Sequence, residues 1–354
     1  SATPEEVKSL FSHTVDVGIE HGTVLVLHHH DSYEVTTFRT EGTYQDFRHP
    51  DSVTFVRSLE EDLMRRDFTI NALAVNDKEE IVDYFGGIED LEREIIRCVG
   101  NPMERFNEDA LRMMRAVRFA GQLGFTIESD TFNAIRTLKA NLERVAVERM
   151  KVEFEKMILS PHRALAFKAF VESELYHSCP DFKEAKETLL KLGEFPLEKM
   201  TITQAWILFA YYEQLTVPQL RKVLKDWKSS NDQISTILTG YQTLLARLEK
   251  EWDAFLAYEC PEDLAIEVEQ LLPGIGHSEQ LVELEEVYRQ LPIHSMKDIQ
   301  IDGFGVKEAL GLEKMGPIIG EVLQALQTEI LSGRLANENT EIVSWIRNNF
   351  NESK

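Results

Sequence analysis

Two adjacent arginines followed by an aspartate, Arg65, Arg66 and Asp67, form the first group of residues that could carry chemistry. The planar guanidinium groups of arginine match phosphate oxygens, and a carboxylate accepts hydrogen bonds from the hydroxyls of a sugar. Asn71 lies four residues after Asp67 and would share its face if the segment were helical. The group therefore suits a nucleoside triphosphate, although an exposed, charged helix end would have the same composition.

A second group of charged residues recurs at helical spacing, and four of its positions would share one face of a helix: Glu108, Arg112, Arg115 and Phe119. Asp109 would lie beside Arg112. An acceptor and donors one turn apart could bind the pairing edge of cytosine or adenine, in which an amino group donates and a ring nitrogen accepts. Uracil and guanine place a carbonyl oxygen where the amino group must be. The alternative is a salt bridge along a solvated helix, which contributes only about 0.3–0.5 kcal/mol.

Two smaller features are less specific. Glu34 alternates with apolar residues in a predicted strand, where its carboxylate could hold a metal ion or simply face solvent. Gly86 and Gly87 are too few for a loop that cradles phosphate, so a turn or a hinge is the better interpretation.

The elements that would position these residues change in type along the chain. Residues 1–100 predict a mixed α/β part that begins with a helix, because Thr3, Pro4 and Glu6 form a capping pattern. Its other predicted elements are strands at 22–27 and 33–39, a loop at 41–53, a helix at 58–66 and a helical or extended apolar segment at 68–75. From about residue 88 onward, apolar residues recur at helical spacing between short breaks. We therefore predict the α+β class, with a small mixed α/β head followed by an elongated run of helices.

Composition favours a soluble protein that has neither a metal framework nor a membrane anchor. The chain has 354 residues, of which 43% are hydrophobic, and it contains no apolar run of about 18 residues. No leader sequence opens the chain, and its three cysteines lie far apart without metal-ligand spacing. These features predict a cytoplasmic location and no contact with a membrane.

The net charge of −23 at first argues against a nucleic-acid partner, because phosphate binding needs clustered Lys and Arg. The charge is uneven, however: residues 1–100 carry −12, residues 101–170 carry +3 and residues 171–354 carry −14. The net-positive stretch contains Arg112, Arg115 and Arg118. A local basic stripe within an acidic shell is therefore compatible with RNA binding of moderate affinity that weakens with salt.

The order of four segments resembles that of the bacterial class II tRNA nucleotidyltransferases, the CCA-adding enzymes. The segments are residues 33–39, 65–73, 83–87 and 108–118. The resemblance implies a nucleotidyltransferase-type head at 1–100, incomplete at its N-terminus, and an all-α remainder. That remainder would comprise a neck at 101–180, a body at 181–260 and a tRNA-binding tail at 261–354.

The resemblance also implies an activity, the addition of C, C and A to the 3′ end of tRNA from CTP and ATP without a nucleic-acid template. Asp109 and Arg112 would bind the incoming base, and Glu108 would hold Arg112. Arg65, Arg66 and Asp67 would contact the triphosphate and the ribose. The remaining nucleotide-binding residues would be Asn71, Arg115 and Arg118. No protein partner is required.

Two further segments acquire roles from the resemblance. Residues 83–87, with Asp83 and the two glycines, match a hinge between head and neck. Residues 41–53 match a flexible loop that helps to switch specificity from C to A, and its candidate residues are Tyr44, Asp46 and Arg48.

One departure from the family pattern affects the catalytic metal site. The family's Asp-x-Asp pair does not occur in these 354 residues, and Glu34 matches the third carboxylate of a site for Mg²⁺. Two-metal phosphoryl transfer needs several carboxylates. We therefore expect the aspartate pair upstream of Ser1, and a polypeptide of these 354 residues alone to be inactive. The alternatives are a poly(A) polymerase of the same superfamily and a non-catalytic tRNA-binding protein.

Overall fold

The computed structural model describes residues 2–41 and 53–350, and its first part is mixed α/β as predicted. The elements of this part are α1 Pro4–Leu10, β1 Thr14–Gly18, β2 Thr23–His28, β3 Asp31–Thr36, β4 Arg39–Glu41, β5 Val53–Phe55, α2 Leu59–Met64, β6 Leu73–Val75, β7 Ile81–Asp83, α3 Gly87–Glu92 and β8 Ile95–Ile96. The predicted loop residues Tyr44, Asp46 and Arg48 lie outside the described residues.

The rest of the described chain is almost entirely helical. Its elements are α4 Pro102–Glu108, α5 Leu111–Leu123, β9 Thr126–Ile127, α6 Ser129–Leu138, α7 Val147–Ile158, α8 Arg163–Glu172, α9 Lys186–Glu194, α10 Ile202–Tyr212, α11 Val217–Asp226, α12 Asn231–Glu249, α13 Ala254–Glu259, α14 Glu262–Glu269, α15 Leu281–Gln290, α16 Gly303–Leu310, α17 Pro317–Leu331 and α18 Asn339–Phe350. The predicted α+β class is confirmed. None of the described helices combines the length and the apolar character that a membrane span requires.

The head is built on an antiparallel sheet with the order β1-β2-β3. Alternate residues of β2 point to opposite faces, so Val24 and Val26 are buried against Val7 of α1. The predicted capping box begins α1, since the Glu6 backbone N–H donates to the Thr3 hydroxyl oxygen at 3.3 Å. The other face of the sheet carries Glu34, opposite Leu25 in the β2–β3 register.

In the head, one local prediction is wrong, one becomes more specific and one strand was missed. The strand predicted at 33–39 is split, because β3 ends at Thr36 and β4 begins at Arg39. The segment at 68–75 is a 3₁₀ turn, Thr69–Asn71, followed by β6. Strand β1 was not predicted, since a charged residue and a bulge before Gly18 interrupt its short apolar pattern.

The chain divides into two compact units. The first contains residues 1–205 and 222–229, and the second contains residues 206–221 and 230–354. Helices α10 and α11 contribute residues to both. The predicted division into head, neck, body and tail is finer than this and stays a prediction.

An aromatic cluster around Phe154 of α7 forms much of the core of the helical part of the first unit. Phe154 is 1% exposed, and its ring centroid lies 4.9 Å from that of Trp227 and 5.0 Å from that of Phe182. Met113 and Met114 of α5 are fully buried, as expected of methionines that serve packing. Helices α5 and α7 are thereby fixed in place, and α5 carries Arg112 and Arg115 of the second charged group.

A buried carboxylate organises the second unit. Glu269, on α14, is fully buried, and its oxygens accept hydrogen bonds from Arg247 Nε at 2.7 Å, Trp252 Nε1 at 2.6 Å and the Gln280 backbone N–H at 2.6 Å. A charge in a protein interior is tolerated when it is paired and hydrogen-bonded in this way.

Candidate active site

The first charged group follows the C-terminus of α2, a helix that Ser58 caps by accepting from the Glu61 backbone N–H. Asp67 is 8% exposed, and its Oδ1 accepts hydrogen bonds from Asn71 Nδ2 at 3.1 Å and from the Phe68 backbone N–H at 2.9 Å. The predicted proximity of Asp67 and Asn71 is therefore present, although a 3₁₀ turn rather than an α-helix produces it.

Arg115 of α5 completes the surroundings of Asp67. Its Nε lies 2.7 Å and its Nη2 lies 2.6 Å from Asp67 Oδ2. Both nitrogens converge on this one oxygen, and the charge-assisted contacts hold the guanidinium against the carboxylate. Residues 48 positions apart in the sequence thus form one pair, which joins the two charged groups.

A carboxylate that sequence reasoning missed holds the two adjacent arginines. Asp62 is 4% exposed and accepts from Arg65 Nη2 at 2.8 Å, and Arg66 Nη2 lies 3.6 Å from its other oxygen. Arg66 also donates to the backbone carbonyl of Asn71 at 3.2 Å. The spacings i,i+3 and i,i+4 could have revealed Asp62. The Arg66 side chain is 43% exposed, so part of its guanidinium surface stays accessible to an anion.

The second charged group does not lie on one helix, contrary to prediction. Helix α4 ends at Glu108, Asp109 has an extended backbone with φ −136° and ψ 104°, and α5 begins at Leu111. Asp109 Oδ1 accepts from the Leu111 backbone N–H at 3.0 Å. Aspartate competes for backbone N–H groups in this way, which favours a break between helices over a continuous one.

The break preserves the predicted pair of Glu108 and Arg112. Arg112 Nη1 donates to Glu108 Oε2 at 2.8 Å, and Arg112 Nη2 donates to the backbone carbonyl of Arg65 at 2.8 Å. Arg105, which sequence reasoning missed, donates from Nη2 to the other oxygen of Glu108 and from Nη1 to the Met64 carbonyl at 3.2 Å. Its i,i+3 spacing to Glu108 was a usable signal. Both arginines therefore bind the carbonyl end of α2.

Asp109 has a partner that no local spacing in the sequence indicates. Arg149 Nη2 of α7 lies 2.8 Å from Asp109 Oδ2, across 40 residues of sequence. A carboxylate has about four acceptor positions, and the contacts with Arg149 and the Leu111 N–H use two of them. Acceptor capacity for the amino group of a base is therefore left.

Arg118 is buried, with an exposed fraction of 6%. Its Nε lies 2.6 Å from Glu153 Oε2, its Nη1 donates to Gln122 Oε1 at 2.7 Å, and its guanidinium lies 3.9 Å from the centre of the Phe119 ring. Burial lowers the pKa of Arg118, and the Glu153 charge opposes that change. Its contacts join α5 to α7, and its role in nucleotide binding stays a prediction.

The predicted hinge residues form the N-terminal cap of α3. The Asp83 carboxylate accepts from the backbone N–H groups of Phe85 at 3.1 Å, Gly87 at 2.9 Å and Ile88 at 2.9 Å. Burial raises the pKa of Asp83, but these hydrogen bonds outweigh it and leave the pKa below its ordinary value. Gly86 has a φ of +77°, the left-handed region that favours glycine.

Glu34 is exposed on β3, on the open face of the sheet. Within residues 2–41 and 53–350, no three histidine, cysteine or acidic side chains lie close enough together to hold a metal ion. Cys98 is buried behind the site, and burial raises the pKa of its thiol to about 12. A neutral thiol of this kind packs as a small apolar group.

Comparison with known proteins matches three family models to successive parts of the chain. A model described as the poly A polymerase head domain covers residues 1–97, one described as the probable RNA and SrmB-binding site of polymerase A covers residues 124–186, and one described as tRNA nucleotidyltransferase domain 2, putative, covers residues 197–346.

Curated relatives and a solved structure match nearly the whole chain. A CCA-adding enzyme of Enterococcus faecalis is 45% identical over 98% of this chain and 86% of its own length. One of Ligilactobacillus salivarius is 44% identical over 96% of this chain and 84% of its own length. The crystal structure of a Bacillus stearothermophilus CCA-adding enzyme in complex with CTP is 35% identical, with a TM-score of 0.88 over 98% of this chain and 86% of that chain.

Proposed function

The chain belongs to the family of CCA-adding enzymes, and we propose that it completes the 3′ end of tRNA with C, C and A by nucleotidyl transfer from CTP and ATP. It is an enzyme of the tRNA nucleotidyltransferase class, and its partners are tRNA and the two nucleotides. No nucleic-acid template is needed, because the protein itself selects the incoming base.

The proposal rests on one observation. The residues proposed to bind the base are hydrogen-bonded or ion-paired directly with the residues proposed to bind the ribose and phosphates. Arg112 donates to the Arg65 carbonyl, and Arg115 pairs with Asp67. A nucleotide bound here would be held at its base and at its ribose and phosphates by one connected set of side chains. Positioning both ends at once is what transfer of a chosen nucleotide requires.

The assigned roles follow from the donors and acceptors of each side chain. Arg65 and Arg66 hold phosphate oxygens, and Asp67 accepts from a ribose hydroxyl. Asp109 accepts from the amino group of cytosine or adenine, while Arg112 donates to the adjacent ring nitrogen.

The remaining predicted residues support these five. Glu108 fixes Arg112, and Asn71 and Arg115 fix Asp67. Arg118 joins α5 to Glu153 of α7, and its contact with the nucleotide stays a prediction. The tail at 261–354 is the proposed site of tRNA binding. Because bacterial tRNA is matured in the cytoplasm, the proposal places the protein there.

Among the described residues, Glu34 is the one that we propose as a ligand of Mg²⁺. A divalent ion would stabilise charge on the transferred phosphate. Glu34 can supply one oxygen ligand, but a single exposed carboxylate does not make a site for this ion. We therefore derive no step through the metal, and the location of the Asp-x-Asp pair upstream of this chain stays a prediction.

The length of the product tests the activity. A tRNA that ends before CCA, incubated with CTP and ATP and with the natural protein, should gain three residues and then stop. Sequencing the product gives its order. A long A tail would instead identify the poly(A) polymerase alternative, and binding of tRNA without any incorporation would identify a non-catalytic RNA-binding protein.

A further inference from the structure

Asp90 is a buried carboxylate on α3 that lies outside every group assigned to the nucleotide. It is 4% exposed, and its Oδ2 accepts from Thr69 Oγ1 at 2.6 Å and from Arg97 Nε at 3.1 Å. A carboxylate in the interior is costly unless it is paired and hydrogen-bonded, so these contacts define where it lies. Asp90 therefore ties α3 to the turn that follows Asp67.

Thr69 is the centre of that turn. It lies two residues after Asp67 and two residues before Asn71, and it is 2% exposed. Its backbone N–H donates to the Arg97 carbonyl at 2.9 Å, and the Asp67 carbonyl accepts from the Val99 backbone N–H at 3.1 Å. The backbone of the turn is thus anchored on the strand-like segment after α3, and the Thr69 hydroxyl is its link to α3 itself.

Because Gly87 has no side chain, the start of α3 packs closely against the turn at Thr69–Asn71. A Cβ placed on Gly87 would lie 2.3 Å from the Thr69 carbonyl oxygen, well inside van der Waals contact. The first residue of α3 thus packs directly on the peptide that carries Thr69. Together with the Asp90 contact, this leaves the turn little freedom to move relative to α3.

We infer that Asp90 is a positioning residue of the nucleotide site, acting through Thr69 to set the place of the Asp67 carboxylate. The inference rests on the proposed role of Asp67 in binding the ribose. Asp90 is too deeply buried to contact a nucleotide, so its effect must pass through the turn. A shift of the turn would move Asp67 and Asn71 together, away from the nucleotide.

Thr69→Val tests the link, because valine keeps the shape and removes the donor. Binding of CTP and of 2′-deoxy-CTP to the full chain is measured by calorimetry, together with binding of tRNA. We expect CTP to bind roughly tenfold more weakly, the scale of one lost hydrogen bond to a charged group. The preference for CTP over 2′-deoxy-CTP should fall and tRNA affinity should stay unchanged, whereas Thr69→Ser should restore both nucleotide properties.

Thr188→Val is the matched control, since Thr188 is 4% exposed on α9 and has no place in the proposed site. It should lower the thermal midpoint while it leaves CTP affinity unchanged. If Thr69→Val does not fold, Thr69→Ala tests the same link, because it also removes the hydroxyl that donates to Asp90. Wild-type CTP affinity in the folded variant overturns the inference.

Asp67→Ala separates this inference from the proposed function. If Asp90 acts through Asp67, adding Thr69→Val to Asp67→Ala should weaken CTP binding no further. An unchanged preference for CTP over 2′-deoxy-CTP in Asp67→Ala would show that the ribose role of Asp67 is wrong. A fully additive loss in the double variant would show that Asp90 does not act through Asp67.

Discussion

Each proposed nucleotide-binding carboxylate has an arginine partner from another element. Asp67 pairs with Arg115 of α5, and Asp109 pairs with Arg149 of α7. These pairs orient the carboxylates without using all their acceptor positions. A fixed acceptor discriminates between ligands because a ligand group without a matching proton leaves that acceptor unsatisfied.

Asp109 should therefore govern the choice of base. The Asp109→Ala variant should lose the preference for C and A over U and G, because the acceptor for the amino group is gone. Arg112→Ala should impair C and A alike, since both bases present a ring nitrogen to the donor. Single-nucleotide incorporation with each of the four triphosphates measures both effects.

The control for this comparison is Asp130→Ala, which removes a first-turn carboxylate of α6 that is outside the proposed site. It should leave the order of preference among the four nucleotides unchanged. If Asp109→Ala reduced incorporation of all four equally through weaker tRNA binding, base selection by Asp109 would be wrong.

At the scale of elements, several residues of the proposed site lie where helices begin or end, whereas Arg115 lies within α5. The arginine pair follows the last turn of α2, Asp109 separates α4 from α5, and Asp83 caps α3. Helix ends have unsatisfied backbone groups that polar side chains bind, so polar residues concentrate there. Arg105 and Arg112 bind the carbonyl end of α2, which couples α4 and α5 to the arginine pair.

The two adjacent glycines before and at the start of α3 should respond differently to alanine. Gly87→Ala places a Cβ against the Thr69 carbonyl oxygen, so we expect a loss of about 1–3 kcal/mol of stability and weaker CTP binding. Gly86→Ala meets no atom within 4 Å and should cost about 1–2 kcal/mol through its positive φ, with CTP affinity retained. Denaturant unfolding and CTP titration measure these quantities.

Gly86→Ala also probes the predicted hinge. If residues 83–87 act as a hinge, Gly86→Ala should lower the turnover while CTP affinity stays the same. Equal CTP affinity in the Gly86→Ala and Gly87→Ala variants would show that the packing of α3 on the turn at Thr69 does not influence CTP binding.

At the scale of the whole molecule, the basic stretch is largely neutralised by ion pairs. Residues 101–170 carry a net charge of +3, but most of their basic side chains already form ion pairs, among them Arg112, Arg115, Arg118 and Arg149. A guanidinium held by a carboxylate has fewer donors left for a phosphate of tRNA. The charge of −23 over the chain further opposes the approach of a polyanion.

We therefore expect tRNA affinity to depend only moderately on salt. Each phosphate contact contributes about 0.7–0.9 to the slope of log K against log salt, so a few contacts predict a slope of roughly −2 to −4. Filter binding of tRNA between low and physiological salt measures the slope. A slope near that of a protein with a fully basic interface, about −10, would show that the acidic shell does not limit the contacts.

The sequence by itself determined the residue types of the site and the class of the fold. Adjacent Arg65 and Arg66, their aspartate and the Glu108-Asp109-Arg112 spacing carry chemistry that can be inferred from donors and acceptors alone. Helical periodicity predicted the all-α part, because burial of one helix face imposes that pattern locally.

Only the tertiary structure decided which charges meet. Asp67 with Arg115 and Asp109 with Arg149 are 48 and 40 residues apart, and Asp90 meets Thr69 across 21 residues. Local spacing extends only one or two turns along a helix, so it contains no information about such pairs. They follow from the packing of α3, α5 and α7, where buried carboxylates must find partners. The break at Asp109 was likewise decided by competition between a side chain and the helix backbone, which periodicity does not record.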